Sequence, residues 1–511
     1  MIKASIHTES TIYRTPLRFT ENRDELGRSS GYTYAKNASV QQTVTTAYGS
    51  DGRISSAGFI HGGAQKMFGY TYLPGTHLLQ TLTKPNNMSL TLSYEDKRDL
   101  LTGMSYKRAN TGVASRTYTY DAAGRPITRN TSRNGTTVND SFGYNNRSEL
   151  TAATVNNGAY SYNYDNIGNR NTAQEITEEI TNYTANNLNQ YTAIGDFAPT
   201  FDAAGNQTLV KTTTGIWTVA YDAENRPVSF TNAETNTVIE CAYDHIGRRA
   251  TKKVTVNGAI TLHQRYLYRG YLQIACCDLT RSNHPALWFI TWDPTQPIAT
   301  RPLAIQKDGT WYTYGWDLTK NICELYGTNG YIRTAYTYTP YGEVTESANS
   351  VYQPIQWSSK YNDTELGLVY YNYRHYNPLD GRWLRRDRIA YNNLYIYINY
   401  IAIYSYDYIG LLSISDSANI SEVDRSELGE EIGRMNPVVM PVIPHYKTGC
   451  FIRIVVPDTE LKVTIELANK DIDYLTEMKA LIESTNNNFI DLKYARKRIR
   501  AHELEHFRDY K

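Results

Sequence analysis

The sequence predicts a mainly β protein, in which stacked hairpins form one continuous sheet, followed by a small α+β module. Three observations predict it. Aromatic usage is skewed, with 45 Tyr against 11 Phe and 7 Trp in 511 residues, and tyrosine favours the pleated, half-buried surface of a strand. A Tyr-Asp motif recurs through the middle of the chain. After Leu412 that motif stops and the composition changes.

The repeat is read first, because a fixed period decides the architecture. Tyr120-Asp121-Ala122-Ala123-Gly124-Arg125 returns at Tyr164-Asp165 with Gly168, at Phe201-Asp202 with Gly205, at Tyr221-Asp222 with Asn225 and Arg226, and at Tyr243-Asp244 with Gly247 and Arg248. Tyr144-Asn145 is a worn copy. The interval between Tyr164 and Phe201 is nearly twice the others and contains a degenerate unit. In each unit an alternating run such as Thr117-Tyr118-Thr119-Tyr120 places both tyrosines on one face of a strand. The Asp-x-x-Gly segment then reverses the chain, because aspartate bonds amides two residues on and glycine supplies positive φ. A unit of this size buries no face alone, so neighbours must stack.

Net charge is +1, from 52 basic and 51 acidic residues, so no whole-chain field steers nucleic acid or an anionic membrane. Nucleic acid is not favoured as a partner. The five cysteines, Cys241, Cys276, Cys277, Cys323 and Cys450, have no short-spaced framework and read as buried free thiols. No apolar stretch reaches the roughly 20 residues that span a bilayer, and no signal peptide is visible in this chain.

The Tyr-Asp units resemble the YD repeats of RHS (rearrangement hotspot) proteins. The resemblance extends over most of residues 90 to 411, through Tyr314-Gly315-Trp316-Asp317 and Tyr338-Thr339-Pro340-Tyr341-Gly342-Glu343. Its most specific segment is Tyr370-Tyr371-Asn372-Tyr373-Arg374-His375-Tyr376-Asn377-Pro378 running into Gly381-Arg382-Trp383-Leu384-Arg385-Arg386-Asp387, which resembles the RHS-associated core domain. The resemblance implies a β-shell over 1–310, a core over 311–411, a linker over 412–444 and an effector-like α+β module over 445–511. It also implies a secreted or cell-surface toxin carrier with a secretion machinery and a cognate immunity protein as partners. Only about six clear units are visible, which predicts an incomplete wall, and the chain reads as a fragment at either end.

The resemblance further implies a self-cleaving core that uses two aspartates and an arginine. Matched by position these are Asp387, Asp407 and Arg374, with cleavage near Leu411-Leu412. Two carboxylates held close share a proton, so one can act as acid and the other as base on a peptide bond. The frame departs from the family's Asp-Pro-x-Gly-Leu pattern: Asp387 precedes Arg388-Ile389-Ala390, and Asp407 precedes Tyr408. The competing reading makes both aspartates turn caps.

In the tail, Phe451–Val456 and Leu461–Leu467 read as strands joined by Pro457-Asp458-Thr459-Glu460, and Ile472, Leu475 and Ile482 recur at helical spacing. A second helix from about Ile490 carries His502-Glu503-Leu504-Glu505-His506. Histidines at i and i+4 share a helix face and suit one zinc ion, with Glu503 as the base that takes a proton from zinc-bound water. The inverted pattern would use Glu505 instead. A third ligand would come from upstream, with His445, Glu466, Asp471 and Asp473 as candidates. The expected activity is therefore a zinc metallopeptidase acting on a protein substrate. The alternatives are a non-enzymatic adhesive sheet and a carrier with a nuclease tail.

Overall fold

The computed structural model describes residues 17–415, apart from 177, 296–300, 350, 388–392, 398–402, 404 and 408–412, together with the strands at 450–455 and 462–467. It divides into two compact units, Met1–Gly429 and Glu430–Lys511. In the second unit Cys450–Val455 pairs antiparallel with Lys462–Leu467, which is the hairpin the sequence predicts. The helices expected there, and with them His502, Glu503 and His506, lie outside the described residues.

The first unit is built from two long antiparallel meanders. One has sixteen described strands in sequence order, from Leu17–Arg23 to Tyr191–Ile194. The other has fourteen, from Thr200–Phe201 to Val344–Asn349, and runs through residue 310 without a break because Pro302–Lys307 pairs with Thr310–Trp316. A separate four-stranded sheet follows, comprising Tyr361–Asp363, Leu368–Tyr371, Arg374–Asn377 and Arg382–Trp383.

In a meander every second connection falls at the same rim, and the Tyr-Asp turns occupy one rim throughout. The unit at Asp121 shows why the motif is spelled as it is. Oδ1 of Asp121 accepts the amides of Ala123 and Arg125, each at 2.9 Å, and Oδ2 accepts Nε of Arg125 at 2.6 Å. Gly124 takes φ +78° to close the reversal. The Arg125 guanidinium lies 5.0 Å from the ring of Tyr144, the tyrosine of the next unit. Each strand-ending tyrosine reaches back in turn: Tyr120, Tyr144 and Tyr243 donate to the carbonyls of Leu101, Pro126 and Pro227. At the opposite rim tight turns such as Asn156-Asn157 and Asn257-Gly258 carry positive φ at both positions, the geometry that suits twisted hairpins.

Counting Tyr-Asp pairs understates the wall, which is the main correction to the sequence reading. The long interval after Tyr164 holds a neutral unit, in which Asn186 bonds the amides of Leu188 and Gln190. Asp24 with Arg28 and Asp317 with Asn321 make the same turn after Arg23 and Trp316, and Asp293 pairs with Arg301 across a longer connection after Trp292. The turn needs a side-chain oxygen that accepts the amides two and four residues on. The preceding aromatic is dispensable, as Arg23 before Asp24 shows.

The inner face of the first meander is covered by the later strands of the second. Tyr32 bonds the Ile290 carbonyl, Lys84 Nζ donates to the Tyr314 carbonyl at 2.7 Å, and the Tyr164 and Tyr341 hydroxyls meet at 2.6 Å. Tyr106 both donates to the carbonyl and accepts the amide of Trp316, each at 2.9 Å. Glu324, fully buried, receives both Arg116 and Arg133. The four-stranded sheet docks against the earlier strands of the second meander. There Asp363 binds Arg249 at 2.6 Å and Lys252 at 3.0 Å, and Val210, Trp217, Phe230 and Ile239 pack on Leu366, Leu368 and Leu384. Burial pushes nearby His375 down to about 3, so it sits there neutral. Cys241, Cys276, Cys277 and Cys323 are buried free thiols, as expected.

Candidate functional site

The Arg374–Asn377 strand is central in the four-stranded sheet, pairing with Leu368–Tyr371 on one side and Arg382–Trp383 on the other. Its side chains are almost wholly buried because the shell strands cover the sheet. Arg374 leads this strand, and its Nη2 lies 2.7 Å from Oδ2 of Asp387 and 3.4 Å from Oδ2 of Asp407. The guanidinium also stacks 4.0 Å from the ring of Trp383. One nitrogen thus bridges two carboxylates that are 20 residues apart in sequence.

The surroundings of this cluster are dry and aromatic. The Arg374 and Asp407 side chains are each 2% exposed and Asp387 12%. Burial pulls Arg374 below its ordinary value, and Asp407 and Asp387 pull it back. Asp387 is positioned by its amide, which donates to the Leu394 carbonyl at 2.9 Å. Asp407 ends the strand Ser405–Asp407, which pairs with Ser413–Ser415. These two strands flank residues 408–412, which hold the expected cleavage bond and lie outside the described residues.

The three residues matched from sequence therefore meet in one place, and both aspartates engage the arginine. Two carboxylates held on one guanidinium in a buried place are the groups that acid–base work on an amide would call for. Among the described residues no group of three or more His, Cys, Asp or Glu side chains could hold a metal ion.

One neighbour was not legible in the sequence. Lys360 follows a single 3-10 turn, Trp357–Ser359, and lies with its Nζ 5.7 Å from the Tyr371 ring. Burial pushes it down to about 8, with Asp407 opposing that shift.

Two meanders of Tyr-Asp turns packed on each other, with a small core sheet docked on the second, define a YD-repeat protein of the RHS type. The chain belongs to the teneurin YD-shell family, whose model matches residues 76–408. It is 27% identical over 233 residues to the tRNA3(Ser)-specific nuclease WapA of Bacillus spizizenii, and likewise to the tRNA nuclease WapA of Bacillus subtilis. Each match covers 44% of this chain and 9% of the relative. Among solved structures it is similar to the TcdB2-TccC3-Cdc42 crystal structure, with TM-score 0.65 and 19% identity, over 77% of this chain and 22% of that one. It is also similar to a Photorhabdus luminescens Tc holotoxin pore carrying a TccC3 mutation, with TM-score 0.66 and 18% identity, over 80% and 22% of the two chains. Among the described residues no helix is long and apolar enough to cross a membrane.

Proposed function

We propose that this chain is the shell-and-core part of a secreted or surface-exposed toxin carrier, and that its core cuts the chain near Leu411-Leu412 to free the segment beyond. The observation that carries the reading is the bridge from Arg374 to both Asp387 and Asp407. In the cut, one carboxylate takes a proton from water as its oxygen adds to the carbonyl carbon. The other gives a proton to the departing amide nitrogen, and the C–N bond breaks. Arg374 keeps the pair together and limits the charge that builds up. Membership of a shell family supports the carrier role.

Intact-mass measurement of the purified full chain tests this. Two fragments from the wild type and one uncut species from Asp387→Asn are expected; an uncut wild type refutes the reading.

For the tail, the motif His502-Glu503-Leu504-Glu505-His506 supports a zinc metallopeptidase, with His502 and His506 as ligands and Glu503 as base. The zinc would supply an activated water. A second reading, a nuclease, is favoured by the names of the two WapA relatives. Stoichiometric zinc lost on His502→Ala supports the first; tRNA cleavage without bound zinc supports the second. A secretion machinery and an immunity protein are the partners either reading calls for.

A further inference from the structure

The 3-10 turn Trp357–Ser359 is unusual in its backbone. Ser358 and Ser359 both take φ +53°, a conformation that costs a non-glycine residue of order 1–3 kcal/mol and persists only when its surroundings impose it. Here they do. Asn321 Oδ1 accepts the Ser358 amide at 2.7 Å, Ser359 Oγ donates to the Lys320 carbonyl at 2.6 Å, and Lys360 N donates to the Trp357 carbonyl at 2.9 Å. The turn is anchored on the second meander and points the following residue, Lys360, at the core.

What Lys360 meets is one aromatic layer shared with Arg374. Its Nζ lies 5.7 Å from the Tyr371 ring, Tyr371 lies 4.9 Å from Trp383 edge-on, and Arg374 stacks on Trp383. The layer is held by the Tyr371 and Tyr397 hydroxyls, 2.7 Å apart, and by Trp357 Nε1 donating to Tyr397 at 3.2 Å. The charged group acting on Lys360 is Asp407, which Arg374 joins to Asp387. The two phenols are kept neutral by burial.

We propose that Lys360 is a positioning residue of the self-cleavage site, its charge setting the pH range over which the Asp387–Asp407 pair can divide a proton. The proposal rests on the self-cleavage reading above. With Arg374 alone, two carboxylates face one cation, and the excess negative charge favours keeping a proton. A second cation whose field reaches Asp407 balances the cluster and makes that proton easier to lose. Lys360 retains its charge up to about pH 8, so its influence covers neutral and acidic conditions.

The test is refolding of the full chain from denaturant across a pH series, with cleavage rate followed by intact mass and folding checked by near-ultraviolet circular dichroism. The alkaline limb of the Lys360→Met profile is expected to move up by about one pH unit, the scale of a nearby partly screened charge. Lys360→Arg should keep the wild-type limb. If Lys360→Met does not fold, Lys360→Gln takes its place. A neutral variant that cleaves with an unshifted limb overturns the proposal, as does an arginine variant that shifts equally. A wild type that cleaves at no pH sinks the self-cleavage reading instead.

Discussion

The repeat turn makes a quantitative prediction, because the chain contains its own neutral control. At Asp121 the carboxylate accepts two amides on one oxygen and Arg125 on the other, the two side chains being each 21% exposed. At Asn186 the same turn is made by an amide, with Nδ2 donating to Gln190 Oε1 at 3.0 Å. Asp121→Asn keeps an acceptor for both backbone amides and loses only the charged contact with Arg125. An exposed pair contributes about 0–1 kcal/mol and a charge-assisted hydrogen bond about 1.5–3. At this exposure about 1–2 kcal/mol is expected. Arg125→Gln loses the same contact together with the stack on Tyr144, which adds about 0.5–1 kcal/mol. The double variant recreates the Asn186–Gln190 pairing, so its cost should fall short of the sum by about 1 kcal/mol. Hydrogen exchange at the amides of Ala123 and Arg125 reads this locally, since about 1.4 kcal/mol is a tenfold change. Strictly additive losses of protection would refute the account. The pH dependence has a definite sign. Burial alone would raise the Asp121 carboxyl, but its bonds with Arg125 and Ala123 outweigh that and hold it below the usual range. The stabilisation is therefore complete above the unfolded value of about 3.9 and is lost as pH falls through the lower folded value. The difference between wild type and Asp121→Asn should vanish in the same window.

Other predictions concern the seam between the two meanders. Tyr106→Phe strips the hydroxyl that pairs both the amide and the carbonyl of Trp316, and should cost about 1–3 kcal/mol, read as a lowered urea midpoint. Glu324→Gln leaves Arg116 and Arg133 facing a neutral group in a dry site; about 3–5 kcal/mol is expected, and a thermal midpoint within a degree of wild type would contradict it. Glu343 is pushed up to about 7 by burial, with Glu175 and Glu178 adding to it. Its ionisation therefore opposes folding increasingly as pH rises from the unfolded value to about 7, and by a constant amount above that. Glu343→Gln should raise the thermal midpoint at pH 8 and leave it unchanged at pH 4.

Much of the wall was legible because its information is local. A Tyr-Asp-x-x-Gly turn closes over five residues, so pattern alone locates it. The degenerate unit expected after Tyr164 had lost the tyrosine and the glycine, as Asn186 shows, and the unit at Asp24, which went uncounted, had lost the tyrosine, while both kept the bonding pattern of the turn. A search for Asp with Arg four residues on would have found Asp24 with Arg28. The inward return of the second meander was not legible. Its contacts, such as Tyr106 with Trp316 and Lys84 with Tyr314, join positions more than 200 residues apart, and no periodicity encodes which faces meet. Arg374, Asp387 and Asp407 could be named through a family resemblance, whereas Lys360 stands in no motif and depends on a backbone turn imposed by its neighbours.

The placement of every Tyr-Asp turn on one rim bears on how such a chain can grow. A segment running from one Tyr-Asp turn to the next holds two strands, one out and one back, so both its ends emerge at the same rim and face the same way. Gaining or losing such a segment leaves each remaining strand with its direction, its inward face and its arginine-to-tyrosine neighbour intact. A single strand gained or lost would reverse everything downstream, including the core sheet. The wall can lengthen only in pairs, and so the unit that duplicates without harm is the hairpin.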